Sequence, residues 1–233
     1  MTSKRVISNA DYDHEMYDRH SVNHRGHRLA QNKTLPEGWK IYSLGRTCKV
    51  VNGGTPKSGI KEYWGGNVLW VTPKDLGALS NRYIDDTPRK ISELGLQKSS
   101  AKLLPPRSVI LSTRAPIGHL AINEEPMSTN QGCRGIVPGE NLYTEYLYYF
   151  LLNSVDLLNQ LGTGATFREL SRTSLMSINL PIPPLSEQKR IVAKLDQTFA
   201  AIDAAKAHAG KNLANARELF DSYLNGIFAN PGE

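Results

Sequence analysis

The sequence has little of what marks secreted scaffolds, membrane proteins or motif-bearing enzymes. It holds two cysteines in 233 residues, Cys48 and Cys133, and neither has a CxxC partner. Two distant thiols make neither a disulfide framework nor a four-thiolate zinc site, so a reducing compartment is expected. No apolar run approaches the roughly 20 residues that a membrane span needs. The N-terminus lacks the charged-then-apolar order of a secretory leader. These absences lead to the expectation of a cytoplasmic protein with no membrane association.

Catalytic motifs are missing as well. There is no GxSxG, HExxH or P-loop. Pro183-Pro184 is flanked by Ile182 and Leu185, which offer neither the polar group nor the stacking ring that a base-flipping methyltransferase loop requires. Gly162-Thr163-Gly164 lacks the third glycine of a dinucleotide loop and follows a helix-like stretch. Glu187-Gln188-Lys189 has the E-x-K spacing of a nuclease metal site without a preceding Pro-Asp pair. His119 has no acid or nucleophile beside it in sequence. The chain reads as a non-enzyme.

What is present divides into three parts. Residues 1–33 carry four of the six histidines, His14, His20, His24 and His27, and few aliphatic residues. Their spacing would let a helix turn some of them toward one metal. With no closing ligand set and almost nothing to bury, a disordered extension is the preferred expectation. Residues 34–185 alternate short apolar runs with Gly/Pro turn signals. Val50-Val51, Val68 to Thr72, Val109 to Thr113 and Leu120 to Ile122 read as strands. Helices are expected over Thr144–Leu158 and near Arg168–Leu175, giving an α+β domain of short twisted strands and a few helices.

Residues 186–229 change character. Ser186 is placed to cap a helix, with Glu187 in its first turn. Apolar positions then follow a heptad seam: Leu195, Phe199, Ile202, Lys206, Ala209, Leu213, Ala216, Phe220, Tyr223 and Ile227, with Lys206 its one charged member. Gly210 weakens the helix locally or, as a turn, would fold it into a hairpin. The seam keeps phase through Gly210, which favours one continuous coiled-coil helix that needs a partner.

Charge follows the same partition. The chain has 28 Lys and Arg against 22 Asp and Glu, a net of +6. Residues 34–185 hold 16 basic against 12 acidic groups, residues 1–33 hold 6 against 4, and the remainder hold 6 against 6. The globular part therefore carries most of the excess, which suits a polyanion, and the neutral rod suits protein contacts.

Several stretches, in this order, resemble the DNA-specificity subunit of type I restriction–modification systems. They are Leu35-Pro36-x-Gly38-Trp39 with Leu44-Gly45, Gly53-Gly54-Thr55-Pro56, Tyr63-Trp64-Gly65-Gly66, and Trp70-Val71-Thr72-Pro73-Lys74-Asp75-Leu76. Ser112-Thr113-Arg114-Ala115-Pro116-Ile117-Gly118, Asn130-Gln131-Gly132 and Leu180-Pro181-Ile182-Pro183-Pro184-Leu185-Ser186-Glu187-Gln188 complete the set. The resemblance runs from about residue 35 to about residue 228. It implies a target recognition domain over 34–185 that reads one half of a split site in double-stranded DNA. The helix over 186–229 would be a spacer and a docking surface for a methyltransferase subunit and a restriction subunit. S-adenosylmethionine and ATP are expected on those subunits only, and no cofactor or metal on this chain. Family members usually carry two such domains and two helices. One of each implies a half-subunit completed as a homodimer with antiparallel helices, joined through Leu195, Phe199, Ile202, Leu213, Phe220, Tyr223 and Ile227.

Candidate DNA contacts follow from charge and loop position. Thr55, Lys57, Ser58, Lys61 and Tyr63 lie on the Gly53–Trp64 loop, where Trp64 is expected in the core. Lys74, Arg82, Arg89, Lys90, Arg114, Arg134 and Arg168 are further candidates. Gln131 has the chemistry for a bidentate contact to adenine, but its place in a shared motif suits a scaffold role better. The competing reading is a coiled-coil interaction protein, or an RNA-binding module, with no restriction–modification role. A specific duplex bound with a steep salt dependence separates the two.

Overall fold

The run Val109-Ile110-Leu111-Ser112-Thr113 is apolar or hydroxyl-bearing at every position, a pattern a strand keeps when both of its faces are covered. The computed structural model, which describes residues 35–114, 116–164 and 168–229, makes it the central strand of the largest sheet. The strands are β1 (Lys40–Ser43), β2 (Cys48–Asn52), β3 (Trp64–Val71), β4 (Tyr83–Ile84), β5 (Lys90–Ile91), β6 (Val109–Thr113), β7 (Ile117–Asn123), β8 (Met127–Thr129), β9 (Cys133–Pro138) and β10 (Asn179–Ile182). The helices are α1 (Leu44–Thr47), α2 (Pro73–Gly77), α3 (Glu93–Gln97), α4 (Thr144–Asn153), α5 (Val155–Leu161), α6 (Arg172–Met176) and α7 (Leu185–Ala229). Expectations attached to residues 1–33 lie outside the described residues.

Three sheets form: β2-β9-β6-β7-β4, β5-β3-β8 and the pair β1-β10. Most pairings are antiparallel, but β3 runs parallel to β8 and β4 parallel to β7. The period of two along a strand sorts the central side chains. Val109, Leu111, Leu120 and Ile122 face a core shared with Leu147, Leu151 and Leu158 of α4 and α5, and with Leu175 and Val192. Ile110 and Ala121 point the other way, into a second core with Leu69, Val71, Met127 and Cys133.

The four expected strands are present. Three helical expectations need correction. The stretch from Thr144 is two helices, broken at Ser154, whose hydroxyl donates to the Phe150 carbonyl (2.7 Å) and whose backbone leaves the helical region. The helix expected near Arg168 starts at Arg172, because Glu169 and Leu170 instead bridge to Thr163 and Thr113, and Ser171 caps the helix by accepting from Ser174 N (3.0 Å). The long helix starts at Leu185, so Ser186 lies exposed inside its first turn. The Pro184 carbonyl receives the first helical amides, those of Glu187 and Gln188 (2.9 and 3.0 Å).

Gln188 is what fastens this helix. Its side chain is fully buried, accepts from Tyr143 N (2.8 Å) and donates to the carbonyls of Asn141 (2.9 Å) and Pro183 (2.8 Å). Tyr146 donates its hydroxyl to the Pro181 carbonyl (2.7 Å), so the proline-rich approach is held as well. Beyond this anchor α7 continues unbroken through Gly210 for 45 residues in all, roughly 67 Å at the usual rise. From Phe199 to Tyr223 every residue is exposed.

Candidate nucleic-acid interface

The loop after β2 is built to hold a fixed shape. Gly53 N donates to the Cys133 carbonyl (3.2 Å) and Gly54 N to the Thr129 carbonyl (2.8 Å). A Cβ on Gly53 would fall 1.8 Å from the Asn130 carbonyl oxygen, and one on Gly54 2.3 Å from Ala101 N, so only glycine allows this approach. Two indoles hold the outgoing chain: Trp70 Nε1 donates to the Gly54 carbonyl (2.9 Å) and Trp64 Nε1 to the Lys57 carbonyl (3.3 Å). The rings meet edge to face, with centroids 5.1 Å apart. Trp64 is half-buried at the edge of a small core with Val68, Trp70 and Ile91, and Tyr63 is half-buried as well.

What the loop presents is polar and basic. Thr55, Lys57, Ser58 and Lys61 are all exposed. The Thr55 hydroxyl donates to the side-chain oxygen of Gln131. The exposed Arg89 lays its guanidinium 4.7 Å from the Trp70 ring centroid and 6.0 Å from that of Trp64, which orients it beside the loop. Lys90 pairs with Asp86 at 2.9 Å.

A second basic group adjoins the first through Asn52 and Gln131. Arg134 donates to Asn52 Oδ1 (3.2 Å) and to the Leu170 carbonyl (2.6 Å), and lies 3.9 Å from Glu169. Arg114 lies 3.7 Å from the same carboxylate, and Arg172 donates to the Val50 carbonyl (3.3 Å). Burial, then repulsion from Arg172 and Arg114, pulls the Arg134 guanidinium below its ordinary value against the opposing pull of Glu169. Two guanidiniums thus share one half-exposed carboxylate, with the Arg172 charge close enough to repel that of Arg134, leaving a positive surface. Gly132 packs against Pro73 and Arg114, which brings the start of α2, with the exposed Lys74, to the same turn.

Two candidates remain, Arg168 and Arg82. Arg168 is exposed and reaches the Asn159 carbonyl at 3.5 Å. Arg82, also a candidate DNA contact, is half-buried and bonded to Asp196 of α7 and to the Tyr149 hydroxyl (2.7 Å). Leu195 is half-buried, and Phe199 stacks on Tyr149 of α4 (5.7 Å, 7°). The first positions of the seam therefore engage the chain's own domain, whereas Ile202, Leu213, Phe220, Tyr223 and Ile227 stay exposed. Asn52 and Arg172 were missing from the sequence-based candidates. An Asn directly before a Gly-Gly pair was the one available signal for Asn52, and nothing marked Arg172.

Among the described residues no group of three or more His, Cys, Asp or Glu is arranged to hold a metal. Both thiols are free and buried, and burial pushes Cys48 up to about 11, against a weak opposing bond with Thr47. No helix among the described residues is long and apolar enough to cross a membrane.

The family model described as the type I restriction modification DNA specificity domain matches residues 36–209. The type I restriction enzyme MjaIX specificity subunit of Methanocaldococcus jannaschii is 37% identical over 192 residues, covering 82% of this chain and 44% of that one. The type I restriction enzyme EcoR124I/EcoR124II specificity subunit of Escherichia coli is 28% identical over 200 residues, covering 83% and 48%. Among solved structures, the HsdS subunit from Thermoanaerobacter tengcongensis superposes with a TM-score of 0.64 at 27% identity, over 84% of this chain and 46% of that one. A chain from a study of complex assembly and conformational transition of the type I R-M system gives 0.67 at 27% identity, over 85% and 48%. The chain spans about half the length of the relatives it matches.

Proposed function

The chain belongs to the type I restriction–modification DNA-specificity family, and on that premise we propose that it is a non-catalytic subunit reading one half-site of duplex DNA. Residues 34–185 are the target recognition domain and 186–229 the spacer helix. The observation that carries the reading is the convergence of the Gly53–Tyr63 loop, the Asn130–Gly132 turn, Lys74 and the Arg114–Arg134–Arg172 group on one surface. Lysines at the loop tip suit phosphates, and the glycine-pinned loop gives the rigidity that base reading needs. Methyl transfer and cleavage belong to separate methyltransferase and restriction subunits, which bring S-adenosylmethionine and ATP.

The rod serves as docking surface and dimer contact. Leu213 and Phe220, 55% and 62% exposed, are two large side chains of a seam that a second copy would cover in antiparallel register. A cytoplasmic location agrees with two buried, unpaired thiols.

The test uses the full chain with duplexes from a randomised library, bound across a range of salt. One enriched duplex, with affinity falling steeply as salt rises, is the expected result. Equal or tighter binding of single-stranded RNA, or no duplex enrichment at any salt, would refute the reading. Addition of a methyltransferase subunit should direct methylation to the enriched sequence, and turnover by the purified chain alone would contradict the non-catalytic assignment.

A further inference from the structure

The long helix is fastened to the globular part by the buried Gln188 and Val192 and, further along, by an ionic and aromatic clamp. We propose that this clamp, built from Arg82, Tyr149, Asp196 and Phe199, fixes the angle between recognition domain and rod, and so restricts the gap between the two half-sites that a dimer accepts. The inference rests on the function proposed above and adds to it a positioning role for residues away from the DNA-facing surface.

The four residues come from three elements. Arg82 directly precedes β4, Tyr149 lies on α4, and Asp196 and Phe199 lie within one turn of α7. The Arg82 guanidinium forks onto the carboxylate, Nη1 donating to Oδ1 and Nη2 to Oδ2 (3.0 Å). Nη1 also donates to the Tyr149 hydroxyl (2.7 Å), which in turn donates to Asp196 Oδ1. The Tyr149 ring stacks flat on Phe199, and Arg82 lies over the rings of Tyr83 (5.1 Å) and Tyr149 (5.5 Å). The hydrogen bond from Arg82, supported by the one from Tyr149 and opposed by burial, holds the Asp196 carboxyl below its usual range.

Two features mark this as a geometric device. Side-chain exposures of 22% and 37% leave both charges partly solvated, a setting in which ion pairs add little to stability. A planar fork with both oxygens engaged is nevertheless strongly directional. The other feature is position. The buried Gln188 and Val192 anchor the first turns of α7, but they span only about 6 Å of its axis, a short base for fixing the direction of so long a rod. Asp196 follows eight residues after Gln188, about 12 Å along the axis, and a further anchor at that distance fixes direction.

The lever is long. From Asp196 to Ala229 the helix runs about 50 Å, so about 10° of freedom at the clamp moves its far end by about 9 Å relative to the domain. At about 3.4 Å per base pair that is a change of about two to three base pairs. Loss of the clamp should therefore leave the helix folded, the domain folded and the half-site bases unchanged, while the accepted gap broadens.

The experiment selects duplexes with the full chain from a library containing every gap length between two half-sites. The wild type is expected to recover one narrow gap. Asp196→Ala, and Arg82→Lys, which keeps the charge but loses the fork, should recover the same half-site bases over three or more gap lengths. In parallel, spin labels on cysteines introduced at the exposed Lys102 and Ala214, with labelled chain diluted in unlabelled chain, should give a broader distance distribution in both variants. If Asp196→Ala does not fold, Asp196→Asn keeps the shape, weakens the fork and is read in the same way. A wild-type gap in the folded variants, or an unchanged distance distribution, overturns the inference. So does a change in the selected bases. Failure of the wild type to enrich any paired half-sites overturns the functional reading and this inference with it, whereas indifference of the variants alone removes only the clamp's role.

Discussion

Replacing Gln188 with alanine should destabilise the junction between domain and rod far more than its exposed neighbours do. The wild-type side chain is fully buried and makes three hydrogen bonds, to Tyr143 N, the Asn141 carbonyl and the Pro183 carbonyl. Truncation leaves one amide and two carbonyls without this partner in a closed space. At roughly 1–3 kcal/mol for each buried group left unsatisfied, and with partial relief by an entering water, a loss of about 3–5 kcal/mol follows. Single domains are typically stable by about 5–15 kcal/mol, so the effect is large. Urea unfolding at fixed protein concentration, followed by tryptophan fluorescence, measures it, because Trp70 is almost wholly buried and reports the packed state. Ser186→Ala, two residues earlier and exposed, is the control and should change stability by less than about 0.5 kcal/mol. A loss below about 1 kcal/mol for Gln188→Ala, or an equal loss for both variants, would refute the anchoring role.

Three further outcomes are expected. Leu213→Asp with Phe220→Asp should give monomers that retain a folded globular part, since truncating one large side chain in such a seam, if fully buried, costs about 2–5 kcal/mol; light scattering that still reports dimers would count against the seam. Lys57→Ala with Lys61→Ala should weaken binding to all duplexes alike and flatten the salt dependence by about two charges, whereas a change in the selected bases would mean that these side chains read sequence. Burial opposes ionisation of Glu145, but the bonds from Arg107 and Tyr83 outweigh it and hold the carboxyl below its ordinary value. Its contribution to stability is therefore present above the ordinary glutamate range and lost as pH falls through the folded-state value. Glu145→Gln should be less stable than wild type near pH 7 and should lose less stability on acidification, and parallel pH profiles would refute this.

The parts of the fold that could be read from the sequence are those whose signal is local. Short continuous apolar runs between Gly/Pro signals placed the strands, because β6 and β7 face a core on each side, and the unbroken heptad phase placed the rod because helix period and seam agree over more than thirty residues. The break at Ser154 escaped because it rests on one serine bonding back to the Phe150 carbonyl, with no Gly or Pro to mark it. Ser186 was read as a cap because a serine before a helix usually is one. Gln188 was passed over because nothing in its neighbourhood shows that Asn141 and Tyr143 approach it from more than forty residues away.

The candidate interface was legible in its basic and polar character, while the partners of its arginines were not, and the reason is physical. Lys57 and Lys61 sit on an exposed loop, so their local sequence and their final environment agree. An arginine is different, because its fork is as easily satisfied by a distant carboxylate as by a phosphate. Arg82 reaches Asp196 across 114 positions of sequence, and Arg107 reaches Glu145 across 38. Arg114 and Arg134 both lie within ion-pair distance of Glu169, but one carboxylate cannot neutralise two guanidiniums. Arg82 is balanced one to one by Asp196. Arg114 and Arg134, in excess over their shared carboxylate, keep charge to offer a polyanion, and that local stoichiometry exists only once β6 and β9 have paired and brought the α6 approach alongside.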